Sequence, residues 1–256
     1  MFPIYTIAKY TVMGFARDKI FYTAIIFAVL FVSAATSLSS LSILEQEKLL
    51  IDFGVAAISI SGILMAIFTG IVSVAKEIES KTIYTILSKP ISRMVYLLGK
   101  ALGCIAILIV TEIIMASTLL ALLFFNEIAI PNGLLACFYL MLLESVIIFI
   151  LALFFSCVLN SSILAGSMTL ITFIVGRSNH ILSSLTQKKE GGFSGAIYQL
   201  LYYIFPNLNR FDIRALVSYS KPYPEDLLLV SSTYFAAYVL MFFLLSLSFF
   251  NKRDFL

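Results

Sequence analysis

From Phe53 to Ala75 the chain runs for 23 residues without an Asp, Glu, Lys or Arg. Comparable apolar runs recur at about 20–41, 100–125, 133–158 and 227–250, with a weaker one at 163–181. A stretch of ~20 apolar residues satisfies its backbone inside hydrocarbon only as a helix, because every N–H and C=O must then bond within the segment. The alternative, a closed barrel, uses alternating strands of about 9–11 residues, and these runs are too long for that. The expectation is an all-α integral membrane protein with six transmembrane helices, residues 1–256 forming one transmembrane domain. Composition agrees, with 61% hydrophobic and 12% charged residues against roughly one half and one quarter in soluble domains.

Between the second and third runs lies Lys76–Arg93, KEIESKTIYTILSKPISR, where charge and a proline replace membrane-grade sequence. A turn between two spans needs only a few polar residues, yet this stretch also sets Ile83, Ile86 and Leu87 at the i, i+3, i+4 spacing of a helix face. That face predicts a docking surface for a soluble partner within a segment spanning 76–99. Residues 1–19 place Ile4, Ile7, Ala8, Thr11 and Phe15 on one face with Lys9, Arg17 and Lys19 nearby, the pattern of an amphipathic helix lying in the membrane interface, apolar side toward acyl chains. A cleavable signal sequence is the competitor, with Ser33-Ala34-Ala35 as its cleavage site, but the region before the apolar run is long and amphipathic. The short loop before the second run holds Glu45, Glu47, Lys48 and Asp52; the turn 126–132 contains Pro131; Asn160, Ser161 and Ser162 form an uncharged turn.

Lys and Arg in short loops fix orientation. Six spans put both termini, the 76–99 segment and the 159–162 turn on one side, which carries ten basic residues, while the other side has Lys48 in its short loops. Both termini are therefore expected in the cytoplasm. Residues 177–226 hold the other six basic residues and face outward, where a region of that length obeys the rule poorly. Within 182–226, Ile197, Leu200, Leu201, Ile204 and Phe205 make an apolar helical face ended by Pro206 and Asn207, next to the interfacial tyrosines Tyr198, Tyr202 and Tyr203; this predicts a re-entrant or surface-lying helix. Lys188-Lys189-Glu190-Gly191-Gly192 before it reads as a hinge.

Glu112 and Glu144 are the carboxylates well inside the runs. Each lies about twelve residues from the 126–132 turn or the opposite span end, so at ~1.5 Å per residue both reach mid-bilayer and can meet across a helical hairpin. They form a candidate intramembrane polar site, read either as a proton or substrate site or as protonated packing groups, with no intramembrane Lys or Arg to partner them. No metal site is expected: the chain has one His, and Cys104, Cys137 and Cys157 all fall in apolar runs. Ser167 with His180 lacks a third member for a serine hydrolase. No G-x-x-x-x-G-K-[ST] occurs, so any ATP-driven work needs a second polypeptide. A net charge of +3 spread over loops gives no nucleic-acid signature.

The run Glu77-x-Glu79-x-x-Thr82, then Ile86-Leu87-Ser88-Lys89-Pro90-Ile91-Ser92-Arg93 and Gly99-Lys100, resembles the E-x-E-x-G-T…LLS-x-P-[VI]-S-R…GK pattern of type-2 ABC transporter permeases, with Lys81 standing where the pattern has glycine. Phe15-Ala-Arg17-Asp18-Lys19, Tyr203-Ile-Phe-Pro206-Asn207 with Phe211-Asp212, and Lys252-Arg253-Asp254 extend the likeness, most closely to the branch associated with copper-enzyme maturation. The resemblance implies a permease, an exporter subunit that is not itself an enzyme. It would act as a dimer with a second copy or homologue in a bacterial or archaeal cytoplasmic membrane, with ATP and Mg bound on a cytoplasmic ABC ATPase partner and no cofactor on this chain. It makes 76–99 the coupling helix, with Glu77, Glu79, Thr82, Ile83, Ile86, Leu87, Pro90 and Arg93 as its ATPase-coupling residues: an apolar face, a charged rim including Lys81 and Lys89, and a proline stop. Two other classes stay open, a secondary transporter using Glu112 and Glu144 as a proton relay and a non-transporting membrane scaffold.

Overall fold

The computed structural model describes residues 2–17, 22, 26, 30, 46–83, 91–159, 161–178, 205–219, 224 and 226–253. Its ordered elements are helical, with no strand among the described residues. Helix α1 spans Phe2–Phe15; α2 spans Gln46–Gly70 and continues through a π-helical turn, Ile71–Ala75, into α3, Lys76–Glu79. Then come α4, Arg93–Phe125, α5, Leu134–Val158, and α6, Ser162–Arg177. A 3-10 turn, Leu208–Phe211, leads to α7, Arg214–Ser218, and α8, Leu227–Lys252, closes the described chain.

Among the described residues four helical rods are long and apolar enough to cross a membrane: Glu47–Glu79, Arg93–Phe125, Leu134–Val158 and Leu227–Lys252. The fifth predicted span is the shorter helix α6. Of the predicted span 20–41, Tyr22, Ile26 and Leu30 are described; they are helical and exposed, and the rest lies outside the described residues. So do Tyr84–Pro90, with the predicted coupling residues Ile86, Leu87 and Pro90, and residues 179–204, with the predicted glycine hinge and most of the apolar face ending at Phe205.

α5 is apolar all round and occupies the centre, as a helix without a polar face must. It touches α2, α4, α6 and α8. Against it α8 uses an aromatic run, with Phe154 edge-on to Phe242 and Phe249 at ring separations of 5.6 and 5.8 Å. The rest of α8 is largely exposed, as suits a peripheral helix facing lipid.

Four features differ from the sequence expectation, the first three of them helix boundaries. α2 starts at Gln46, so Glu47, Lys48 and Asp52 sit on a helix and not in a loop; acidic residues in a first turn favour the helix by opposing its dipole. α4 starts at Arg93, seven residues before Lys100, because the Ser92 hydroxyl caps it by accepting from the Val95 N–H. Ser162, expected in a turn, is the first residue of α6.

The fourth concerns α1. Its predicted apolar face is the one turned inward, but it faces protein. Ile4 and Ile7 cover Gly99, and Ala8 and Thr11 cover Gly103: a Cβ on Gly99 would stand 2.8 Å from Ile7 Cβ, and one on Gly103 would stand 2.8 Å from Thr11 Cβ. The Gly99-x-x-x-Gly103 spacing lets two helix backbones approach closely. Lys9 and Arg17 remain on the exposed side.

The chain direction alternates along α2, α4, α5, α6 and α8. Residues 76–83, 91–93, 157–159, 161–162 and 250–253 therefore gather at one end, called proximal below. Residues 46–52, 126–133, 177, 207–219, 224 and 226–227 gather at the other, distal end.

Candidate functional site

At the proximal end charged side chains are spent on helix termini. The end of a helix leaves unpaired backbone groups, N–H at its start and C=O at its finish, which attract opposite charges. Glu79 lies across the start of α6, where its carboxylate accepts from the Ser162 N–H at 2.6 Å and from the Ser162 hydroxyl at 2.7 Å. Arg93 Nη1 donates to the carbonyls of Phe250, Asn251 and Arg253 at 2.9 Å, closing the end of α8. Arg253 Nη1 donates in turn to the carbonyls of Cys157 and Leu159 at 3.0 and 3.3 Å, closing the end of α5.

Glu77 reaches α4, accepting from the Tyr96 hydroxyl and the Lys100 ammonium. Tyr96 is fully buried and stacks on Phe250 with ring centroids 5.7 Å apart. Segment 76–83 is thus tied to α4 through Glu77 and to α6 through Glu79. Thr82 holds the turn that follows α3, donating to the Glu77 carbonyl at 3.3 Å.

Lys81 has φ of 59°, the left-handed region that favours glycine. That is the position where the type-2 permease pattern carries glycine. Ile83, expected on a face offered to a partner, is fully buried inside this chain. Its burial needs no partner, and any free apolar face of the segment must come from residues beyond it.

The two intramembrane glutamates do not behave as a pair. Both are buried, Glu112 at 5% and Glu144 at 2% exposure. Gly62 on α2 faces Glu112 and Ser145 together: a Cβ there would stand 3.0 Å from Glu112 Oε2 and 2.8 Å from Ser145 Oγ. The hairpin of α4 and α5 therefore brings Glu112 to the neighbour of Glu144. Yet Glu112 Oε1 has no hydrogen-bond partner among the described residues, while Glu144 Oε1 accepts from Arg177 Nη1 at 2.7 Å. The expectation that no cation partners these acids is overturned. α6 is short enough that Arg177, near its end, reaches Glu144 from the side. Sixteen residues at 1.5 Å each give about 24 Å, less than the roughly 30 Å of a bilayer core.

Arg177 also bridges outward, its Nη2 standing 3.2 Å from Asp212 Oδ2. Asp212 accepts two further bonds at 2.8 Å from Arg214, through Nε and Nη2. The result is a chain of alternating charge, Glu144, Arg177, Asp212, Arg214, rising from buried α5 to the distal end. Burial opposes ionisation of Asp212, but the hydrogen bonds from Arg214 and the nearby Arg177 charge win and hold its carboxyl below the usual range.

Segment 205–219 fills the space above α6. A Cβ on Gly176 would stand 2.6 Å from the Pro206 carbonyl oxygen. Leu208, Phe211, Ile213 and Val217 are buried, the Asn207 N–H donates to Tyr234 Oη at 2.8 Å, and the Ser218 hydroxyl donates to Asp52. Between this segment and α2 lies a cleft of about 620 Å3 lined by Asp52, Ala56, Arg177, Asn209, Asp212, Arg214, Ala215 and Tyr219. No cluster of metal-ligating side chains occurs among the described residues.

In the sequence Arg177 is one of the six basic residues of the outward region 177–226 and falls within the weaker run at 163–181. Its pairing with Glu144 is not legible there, because it depends on where a short helix stops. Asp212 and Arg253 belong to the permease-like motifs, but their roles depend on contacts 35 and 96 residues away.

Comparison with curated protein sequences gives no match. The family model described as ABC-2 family transporter protein matches residues 5–255, nearly the whole chain. That span contains both charged ends, the glutamates between them and every helix described above but for the first residues of α1. The chain belongs to the ABC-2 transporter family and is a membrane component of the permease kind.

Proposed function

We propose that this chain is the permease subunit of an ATP-driven exporter, moving its substrate with ATP hydrolysed on a separate cytoplasmic ABC ATPase. ATP and Mg belong to that partner, which docks at the proximal end. Two permease chains, identical or homologous, complete the assembly in a bacterial or archaeal cytoplasmic membrane, with both termini on the cytoplasmic side. The observation that carries the reading is the double tie of segment 76–83. Glu77 joins it to α4 and Glu79 joins it to α6, so a push on this segment reaches two helices through charge-assisted bonds. Glu77, Glu79, Thr82 and Arg93 then transmit force within the permease, and the ATPase contact falls to the stretch holding Ile86, Leu87 and Pro90.

Purification of the tagged chain in mild detergent tests this. An ABC ATPase should accompany it at one copy per chain, and Glu79→Arg should keep that association while uncoupling ATP hydrolysis from transport. A chain that purifies alone and supports proton-gradient-driven uptake in vesicles would overturn the reading in favour of a secondary transporter.

A further inference from the structure

The four-charge chain at the distal end divides without leaving a charge behind. Glu144 and Arg177 form one neutral pair, held between α5 and α6 at 2.7 Å. Asp212 and Arg214 form another, two residues apart within segment 205–219 and joined by two bonds of 2.8 Å. One contact joins the pairs, Arg177 Nη2 to Asp212 Oδ2 at 3.2 Å, and it is the longest of the set. The exposures follow the same division, the side chain of Glu144 being 3% exposed and that of Asp212 27%. An uncompensated charge in a low-dielectric site is expensive, so a seam that opens reversibly must leave each side neutral. This seam does.

We infer that the Arg177–Asp212 contact is the latch of a distal gate, and that segment 205–219 lifts from α2, α5 and α6, carrying Asp212 and Arg214 as a neutral pair and the already exposed Arg210, to open the cleft beside it. The inference rests on the transport reading above and specifies where the pathway opens. The cleft of about 620 Å3 is lined from both sides of the seam, by Asp52, Ala56 and Arg177 on the bundle and by Asn209, Asp212, Arg214, Ala215 and Tyr219 on the segment. The other polar ties of the segment include single bonds from Asn207 to Tyr234 and from Ser218 to Asp52, the Ser231 hydroxyl donating to the Arg210 carbonyl at 3.5 Å, and the Arg210 and Lys48 cations over the Tyr234 and Tyr219 rings; all lie near the distal surface, where water can replace them. Its buried side chains, Leu208, Phe211, Ile213 and Val217, carry no charge to strand.

The test uses Val217→Cys, a position 1% exposed and packed toward α2 and α5, labelled in nanodiscs by a polar maleimide. The unaltered chain, whose Cys104, Cys137 and Cys157 are buried, supplies the background. Adding Asp212→Asn removes the latch and should raise the labelling rate about tenfold, the scale of one charge-assisted hydrogen bond. Adding Glu144→Gln instead leaves Arg177 with Asp212 as its anion, and the rate should not rise. Should Asp212→Asn fail to accumulate in the membrane, Arg177→Lys takes its place. A lysine ammonium cannot span both carboxylates as the planar guanidinium does, so it should stay with Glu144 and give the same rise. Equal acceleration by Glu144→Gln and Asp212→Asn, or none by either latch variant, would overturn the gate. Neither readout involves an ATPase, so the gate can fail while the partner assignment stands, and the reverse.

Discussion

The two ends of this bundle spend charge differently. At the proximal end, beside the Glu77–Lys100 ion pair, three charged groups face the unpaired backbone of a helix terminus: Glu79 at the start of α6, Arg93 at the end of α8 and Arg253 at the end of α5. Such a contact cannot part without exposing both a charge and a row of backbone groups. At the distal end charges face charges, and the chain from Glu144 to Arg214 contains a point where it separates into two neutral halves. The contrast describes a molecule whose proximal end transmits movement as a unit and whose distal end comes apart.

The largest effect is expected from breaking the buried half of the distal chain. Arg177→Met strands Glu144, and removing one partner of a buried pair costs about 3–5 kcal/mol. The double replacement Glu144→Met with Arg177→Met should recover most of that loss in unfolding measurements in mixed micelles. Equal stability of the single and double variants would mean that the pair contributes nothing.

Next comes the proximal counterpart. Arg93→Ala removes the donor to three carbonyls, and loss of charge-assisted bonds should cost about 1.5–3 kcal/mol. Since both neighbouring helix ends are clamped in series, the loss should also free the Arg253 bonds to α5. Paramagnetic or fluorescent probes near residue 253 should gain mobility, and an unchanged probe would separate the two clamps.

The smallest effect is a gain. Lys81 sits at φ of 59°, where a non-glycine residue bears roughly 1–2 kcal/mol of strain. Allowing for the greater chain entropy of glycine, Lys81→Gly should stabilise the protein by about 0.5–1 kcal/mol. A destabilisation instead would show that the Lys81 side chain earns its place through contacts at the proximal end.

What the sequence revealed and what it withheld follow from the range of the forces concerned. The spans at 133–158 and 227–250 were legible because hydrophobic run length is a local property, and Leu134–Val158 and Leu227–Lys252 match them closely. The buried face of α1 was legible as well, since helical periodicity identifies a face. Its partner was not, because a face of Ile, Ala and Thr suits lipid and glycine pairs equally. The coupling segment drew attention through its charge, but charge alone does not say whether Glu77 and Glu79 meet a partner protein or their own helices. Ile83 shows the same ambiguity, as an apolar residue at the right spacing that serves its own core. Arg177 was counted as one of six outward basic residues. Its position beside Glu144 follows from the length of α6 relative to its neighbours, which no local pattern encodes.

The contrast between the two ends is tested most directly by hydrogen exchange of the wild-type chain in nanodiscs, comparing amides at the start of α6, around residues 162–169, with those of 207–219. Local opening sets exchange, so the account predicts that the distal segment exchanges faster by about tenfold or more. Equal protection at the two ends, or faster exchange at the start of α6, would contradict it.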